Sequence, residues 1–250
     1  MPPNGRFSRT HLLLFFVISA ACISTQAQTE KTWIDHYWTG ADDIKFHYIE
    51  QGEGTPIVLI HGLGSSAVCN WFNTGVAQEL AKTNWVIALD MRGHGETPRQ
   101  SEDSHGSTLV DVLNLMDHLQ IERAHIGGYS MGGATTVGLM KLAPQRFITA
   151  SILGAGVPES EGWVKVATRG SDIENDPKIV AGIDLTTINF PVLGINGEND
   201  LADKRREPLA SGLADLTYVV IPGANHMSAP RHPEFVTALV NFIVANNPAE

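Results

Sequence analysis

Cysteine is nearly missing from this 250-residue chain: Cys22 and Cys69 are the only two. Two thiols cannot build a disulfide framework or a cysteine zinc site. Positive charge is also scarce, with 17 Lys and Arg against 27 Asp and Glu and a net charge of -10. So acidic a balance repels phosphate backbones and anionic lipid, which argues against nucleic acid as a partner and against polybasic membrane binding. No apolar run reaches the roughly 20 residues that a bilayer span requires. What is present is ordinary for a globular chain: 43% hydrophobic and 18% charged residues, in a length that one large α/β domain can fill.

The first 27 residues read as an address. They contain no acid, and their only charges are Arg6 and Arg9. A basic start, the apolar run 12–18 and small residues at Thr25 and Ala27 predict a signal peptide cleaved before Gln28, and therefore an exported protein. A second processing route competes. Ser19-Ala20-Ala21-Cys22 looks like a loose lipobox that would acylate Cys22 and anchor the chain as a lipoprotein. Ser19 stands where bacterial lipoproteins usually have leucine, so the soluble form is the favoured one. Either way Cys69 is left without a partner, and such a thiol is expected to be buried as a small apolar residue.

From residue 28 onward, strand-like runs alternate with helical patterns. Residues 44–49 alternate and are followed by the turn Gln51-Gly52-Glu53-Gly54 and the continuous apolar run 56–60. The pair opens the sheet, with antiparallel edge strands first and a buried strand after. Further strand runs fall at 85–89, 124–126, 150–153, 192–195 and 218–221, with a helical pattern at 109–119 between them. This rhythm predicts a mostly parallel sheet covered by helices on both faces. Residues 157–189 break it with Glu159, Glu161, Asp172, Glu174 and Asp176 among scattered apolar positions, so they are expected to form a short cap insertion in a single domain covering 28–250.

A Gly-x-Ser-x-Gly run appears once, as Gly128-Tyr129-Ser130-Met131-Gly132. Alone it is a weak signal in a chain with 24 glycines, but it follows a buried strand and opens a helix. A nucleophile on such a turn needs glycines two before and two after, where side chains would collide with neighbouring elements. His61-Gly62-Leu63-Gly64 stands directly after the strand at 56–60. Acyl transfer needs two donors aimed at the oxyanion, and the backbone N–H groups of Leu63 and Met131 are the natural pair. His61 in that turn is expected to order the loop. The cluster Asp90-Met91-Arg92-Gly93-His94-Gly95 offers an acid and a base, yet reads better as a turn that satisfies its own backbone.

A serine hydroxyl is a weak nucleophile and needs an imidazole oriented by a carboxylate. Asp200 and His226 follow the strands at 192–195 and 218–221, on the same sheet edge as Ser130, where open α/β sheets keep their sites. Glu198 and Asp203 are rival carboxylates, and His232 is a rival base.

Together these landmarks make the chain resemble the α/β-hydrolase fold family over residues 44–243. The resemblance implies an eight-stranded, mostly parallel sheet with a cap after the strand at 150–153. It further implies Ser130, Asp200 and His226 as the catalytic triad of a serine hydrolase, acting on a small carboxylic ester, lactone or thioester. Ser130 argues against the members that carry an aspartate nucleophile, namely dehalogenases and epoxide hydrolases. The same residues could serve perhydrolysis, acyl transfer or carbon–carbon bond hydrolysis, and a receptor without turnover is the remaining alternative. No cofactor or metal is expected, because the histidines lack zinc-ligand spacing and no phosphate-loop signature occurs.

Overall fold

The computed structural model describes residues 31–40, 43–99, 108–157 and 184–249. The proposed signal peptide, Cys22 and most of the expected cap lie outside these residues. Eight strands form one sheet: β1 (Ile34–Thr39), β2 (Lys45–Gln51), β3 (Thr55–Ile60), β4 (Asn84–Leu89), β5 (Ala124–Tyr129), β6 (Phe147–Leu153), β7 (Val192–Gly197) and β8 (Leu216–Ile221). Their order across the sheet is β1-β2-β4-β3-β5-β6-β7-β8. β1 and β2 run antiparallel, as do β2 and β4, while the pairings from β4 to β8 are parallel. This is the mostly parallel α/β sheet expected from the strand and helix rhythm.

The opening pair needs a correction. The turn at 51–54 does not join neighbouring strands, because β4 lies between β2 and β3. The true edge is β1, which the sequence reading left out. Its residues are half-buried or exposed, so it lacks the apolar run that marks an inner strand. β5 and β7 are buried along their whole length, as strands covered on both faces must be.

Five helices cover the sheet among the described residues: α1 (Val76–Leu80), α2 (Thr108–His118), α3 (Met131–Leu142), α4 (Ala202–Gly212) and α5 (Pro233–Ala245). One core joins Val58, Ile60 and Ile126 to α2 through Val112 and Leu115 and to α3 through Val137 and Met140. On the opposite face, Ile57, Leu59 and Ile195 meet α1 through Leu80 and α5 through Phe235, Leu239 and Ile243. Far from the carboxyl edge, buried His125 hydrogen-bonds Thr149 at 2.8 Å and Asn247 at 2.9 Å. Asn247 also accepts from Asn84 at 2.9 Å, which ties the end of the chain to β4 and β5. Cys69, expected to be buried, is half-buried, and in the full-length chain it is disulfide-bonded. Among the described residues no helix is long and apolar enough to cross a membrane.

Candidate active site

β5 ends at Tyr129 and α3 begins at Met131, leaving Ser130 alone on the turn with φ 55° and ψ -109°. A positive φ on a residue with a Cβ costs about 1–3 kcal/mol and persists only where surroundings enforce it. Two glycines do so. A Cβ on Gly128 would lie 2.1 Å from Gly132 O, and one on Gly132 would lie 2.2 Å from Ile60 O. The turn is therefore as tight as it can be, with α3 pressed on β3. Ser130 N–H donates to Leu153 O at 2.8 Å, which anchors the turn to β6.

His226 Nε2 lies 2.9 Å from Ser130 Oγ, and His226 Nδ1 lies 2.7 Å from Asp200 Oδ2. A carboxylate only accepts, so Nδ1 carries the proton and Nε2 of the neutral ring is left to accept from the serine hydroxyl. Asp200 is buried and held in a turn by its own N–H donating to Gly197 O at 2.9 Å. That turn is stitched to the His226 loop, since Glu198 N–H donates to Ile221 O and Asn199 N–H to Ala224 O. Tyr129, next to Ser130 in sequence, donates its hydroxyl to His226 O. Burial pushes the Tyr129 phenol above its usual range, with the nearby Asp200 charge adding to it. It therefore stays protonated as a donor.

The rival groups are occupied elsewhere. Glu198 accepts from Gly223 N–H at 2.7 Å. Asp203 is exposed in the first turn of α4. His232 caps α5 by accepting from Glu234 N–H at 3.3 Å.

The turn after β3 is held by a histidine and an asparagine. His61 is fully buried. Its Nδ1 donates to Gly62 O at 2.7 Å and its Nε2 accepts from Met91 N–H at 3.0 Å. Burial lowers its pKa to about 4, so the ring is neutral, as this pattern requires. Gly62 N–H donates to buried Asn70 at 2.9 Å. In a trans peptide the C=O and N–H point in opposite directions. Fixing the Gly62 carbonyl on the His61 ring therefore aims the Leu63 N–H away from it. Met131 is the first residue of α3, so its N–H has no acceptor within the helix. A Cβ on Gly62 would stand 3.4 Å from Ser130 Cβ, which puts this turn beside the serine.

Asp90 is a structural post. It accepts from Ala67 N–H at 2.7 Å, Glu96 N–H at 3.0 Å and His47 Nδ1 at 2.7 Å. Burial pushes its pKa up, but these hydrogen bonds outweigh that and hold the carboxyl below its ordinary value. His94 folds back onto Arg92 O at 2.9 Å. Three supports carry no role that the sequence alone assigns. Asn70 lies in a buried stretch with no motif, Tyr129 is the variable position of Gly-x-Ser-x-Gly, and Arg205 sits on α4. Arg205 Nη1 donates to Asp200 Oδ2 at 2.8 Å. Among large apolar side chains, Leu63, Leu201 and Met227 are exposed, and each adjoins a turn that builds the site. Among the described residues no group of three or more His, Cys, Asp or Glu could hold a metal ion.

Residues 55–163 match the model of the α/β hydrolase fold. The acetyltransferase component of the acetoin cleaving system of Pseudomonas putida is 40% identical over 126 residues, covering 47% of this chain and 33% of that protein. An Escherichia coli esterase is 37% identical over 97 residues, covering 38% of this chain and 37% of its own length. The chain thus spans about a third of the length of these two curated relatives. The structure of 2-hydroxy-6-oxo-6-phenylhexa-2,4-dienoate hydrolase from Rhodococcus sp. strain RHA1 superposes with a TM-score of 0.65 at 20% identity, covering 85% of this chain and 99% of that one. With its sheet order, its strand-to-helix serine turn and this sequence match, the chain has the α/β-hydrolase fold.

Proposed function

We propose that the protein is a serine hydrolase that cleaves a small carboxylic ester, lactone or thioester through an acyl-enzyme on Ser130. The hydrogen-bonded line from Ser130 Oγ through His226 to Asp200 Oδ2 carries this reading. Nε2 of His226 takes the hydroxyl proton as Oγ attacks the carbonyl carbon, and Asp200 orients the ring and stabilises the imidazolium. The N–H groups of Leu63 and Met131 receive the negative charge that develops on the carbonyl oxygen. His226 then passes its proton to the departing alcohol, lactone oxygen or thiol. In the second half-reaction it deprotonates a water, which releases the acid and restores Ser130. The exposed Leu63, Leu201 and Met227 favour a substrate with an apolar substituent.

The test uses a fluorophosphonate probe and nitrophenyl esters from acetyl to octanoyl on purified protein. Stoichiometric labelling of Ser130 and turnover of at least one ester are expected. Ser130→Ala should abolish labelling and lower kcat by about 10⁴ to 10⁶-fold, with an unchanged melting temperature. A folded Ser130→Ala variant that turns over at the wild-type rate would remove Ser130 from the mechanism.

A second reading has support in the dienoate hydrolase likeness, namely carbon–carbon bond hydrolysis by the same residues. A dienoate substrate in the same panel separates the two by the ratio of kcat/KM values. Export is proposed from residues 1–27, and cleavage before Gln28 is preferred to lipid attachment at Cys22. The mass of the chain recovered from a bacterial host decides it.

A further inference from the structure

Arg205 stands where three acceptors converge on one nitrogen. Its Nη1 lies 2.8 Å from Asp200 Oδ2, 2.6 Å from Gly154 O and 3.1 Å from Asn196 Oδ1. The amide of Asn196 cannot turn away. Its Nδ2 donates to Ala155 O at 3.2 Å and to Tyr218 OH at 2.7 Å, and that hydroxyl donates to Ala202 O at 2.9 Å. Asn196 is fully buried and Asp200 nearly so, while the Arg205 side chain is about a quarter exposed. The guanidinium thus ties the end of β6, the end of β7 and the start of α4 together behind the site.

The oxygen it contacts is the one that matters. Asp200 Oδ2 accepts from Arg205 and from His226 Nδ1 at once. When His226 takes a proton, two cations share a single carboxylate oxygen. A cation there disfavours the imidazolium and weakens the pull of Asp200 on it. The other polar groups around His226 are placed differently. Ser130 faces Nε2, Tyr129 donates to the His226 carbonyl, Arg231 donates to Met227 O at 3.0 Å, and Glu198 is taken by Gly223 N–H. Among the described residues Arg205 is the one arginine or lysine in contact with Asp200.

We propose that Arg205 is a positioning residue that acts through Asp200, fixing the carboxylate and setting the acid limit of the pH range in which His226 can accept the Ser130 proton. The proposal rests on the reading of Ser130 as nucleophile. Removing the charge leaves Asp200 free to hold the imidazolium more strongly, so the base stays protonated to higher pH.

The experiment measures the rate of Ser130 labelling by a fluorophosphonate from pH 5 to 9, which requires no knowledge of the natural substrate. Wild type is compared with Arg205→Gln, Arg205→Met and Arg205→Lys, each checked for cooperative melting. In the Gln and Met variants the acid limb should move up by about one pH unit, an approximately tenfold loss of labelling rate on that limb. Arg205→Lys should restore the wild-type limb, because an ammonium offers three N–H donors to three converging acceptors. Arg205→Gln keeps an amide donor and the approximate size, so it remains informative if Arg205→Met does not fold. A purely structural staple would lower the melting temperature and leave the limb in place. An unmoved limb in a folded Gln or Met variant therefore overturns the proposal while leaving the hydrolase reading intact. Failure of wild type to label at Ser130 would instead remove the hydrolase reading and this proposal with it.

Discussion

Asp200→Asn preserves the shape of the acid side chain and removes its charge. On the proposed mechanism it should lower kcat/KM for a nitrophenyl ester by about 10⁴-fold, whereas Asp203→Asn should stay close to wild type. Parallel ester assays decide it, and equal losses would remove Asp200 from its role. The two aspartates are three residues apart, yet one is buried beside His226 and the other is exposed on α4. That difference was legible because a carboxylate at a strand end shares an edge with the serine, whereas one inside the next helix does not. His61 was legible for a similar reason, as a histidine inside a glycine turn after a buried strand. Asn70 and Arg205 were not. Neither belongs to a motif, and their importance comes from where the chain brings them, Asn70 to the Gly62 N–H and Arg205 to Asp200.

At the scale of elements, the crossing of α3 over β3 leaves no room for a side chain. Gly132→Ala would place a Cβ 2.2 Å from Ile60 O, a backbone atom of a central strand. Neither partner can yield cheaply, so a loss of about 3 kcal/mol in urea melts is expected. Gly62→Ala is the control, since its Cβ would meet nothing nearer than 3.4 Å, and it should melt near wild type. A milder loss for Gly132→Ala than for Gly62→Ala would refute this account of the turn. Strands with continuous apolar runs were readable from sequence because both faces are covered. β1 was not, because an edge strand needs no such run. The insertion of β4 between β2 and β3 was hidden too. Sequence periodicity gives the existence of strands and says little about which ones pair.

For the molecule as a whole, two buried neutral histidines contribute to its response to acid. His61 and His125 are each lowered by burial to about 4, against about 6.5 in an unfolded chain. Between those values the unfolded chain holds a proton that the folded one does not, so the contribution of these two histidines to stability falls as pH drops from about 6.5 and levels off below about 4. Each histidine contributes about 1.4 kcal/mol per pH unit in that window. Urea melts at several pH values should show this slope, and His125→Gln should reduce it by about one proton. An unchanged slope in that variant would mean that His125 is not the group responsible. The single-domain layout and the cap at 157–189 remain expectations, since most of the cap lies outside the described residues. A further consequence follows from the Tyr129 hydroxyl on the His226 carbonyl. Ser130 Oγ meets the His226 ring, the His226 backbone meets Tyr129, and Tyr129 is joined to Ser130 by a peptide bond. These links close a small loop, much as a caliper closes on its own frame. When the segment after β8 shifts, the frame carries serine and imidazole together, so the gap between them is insulated from motion that would otherwise open it.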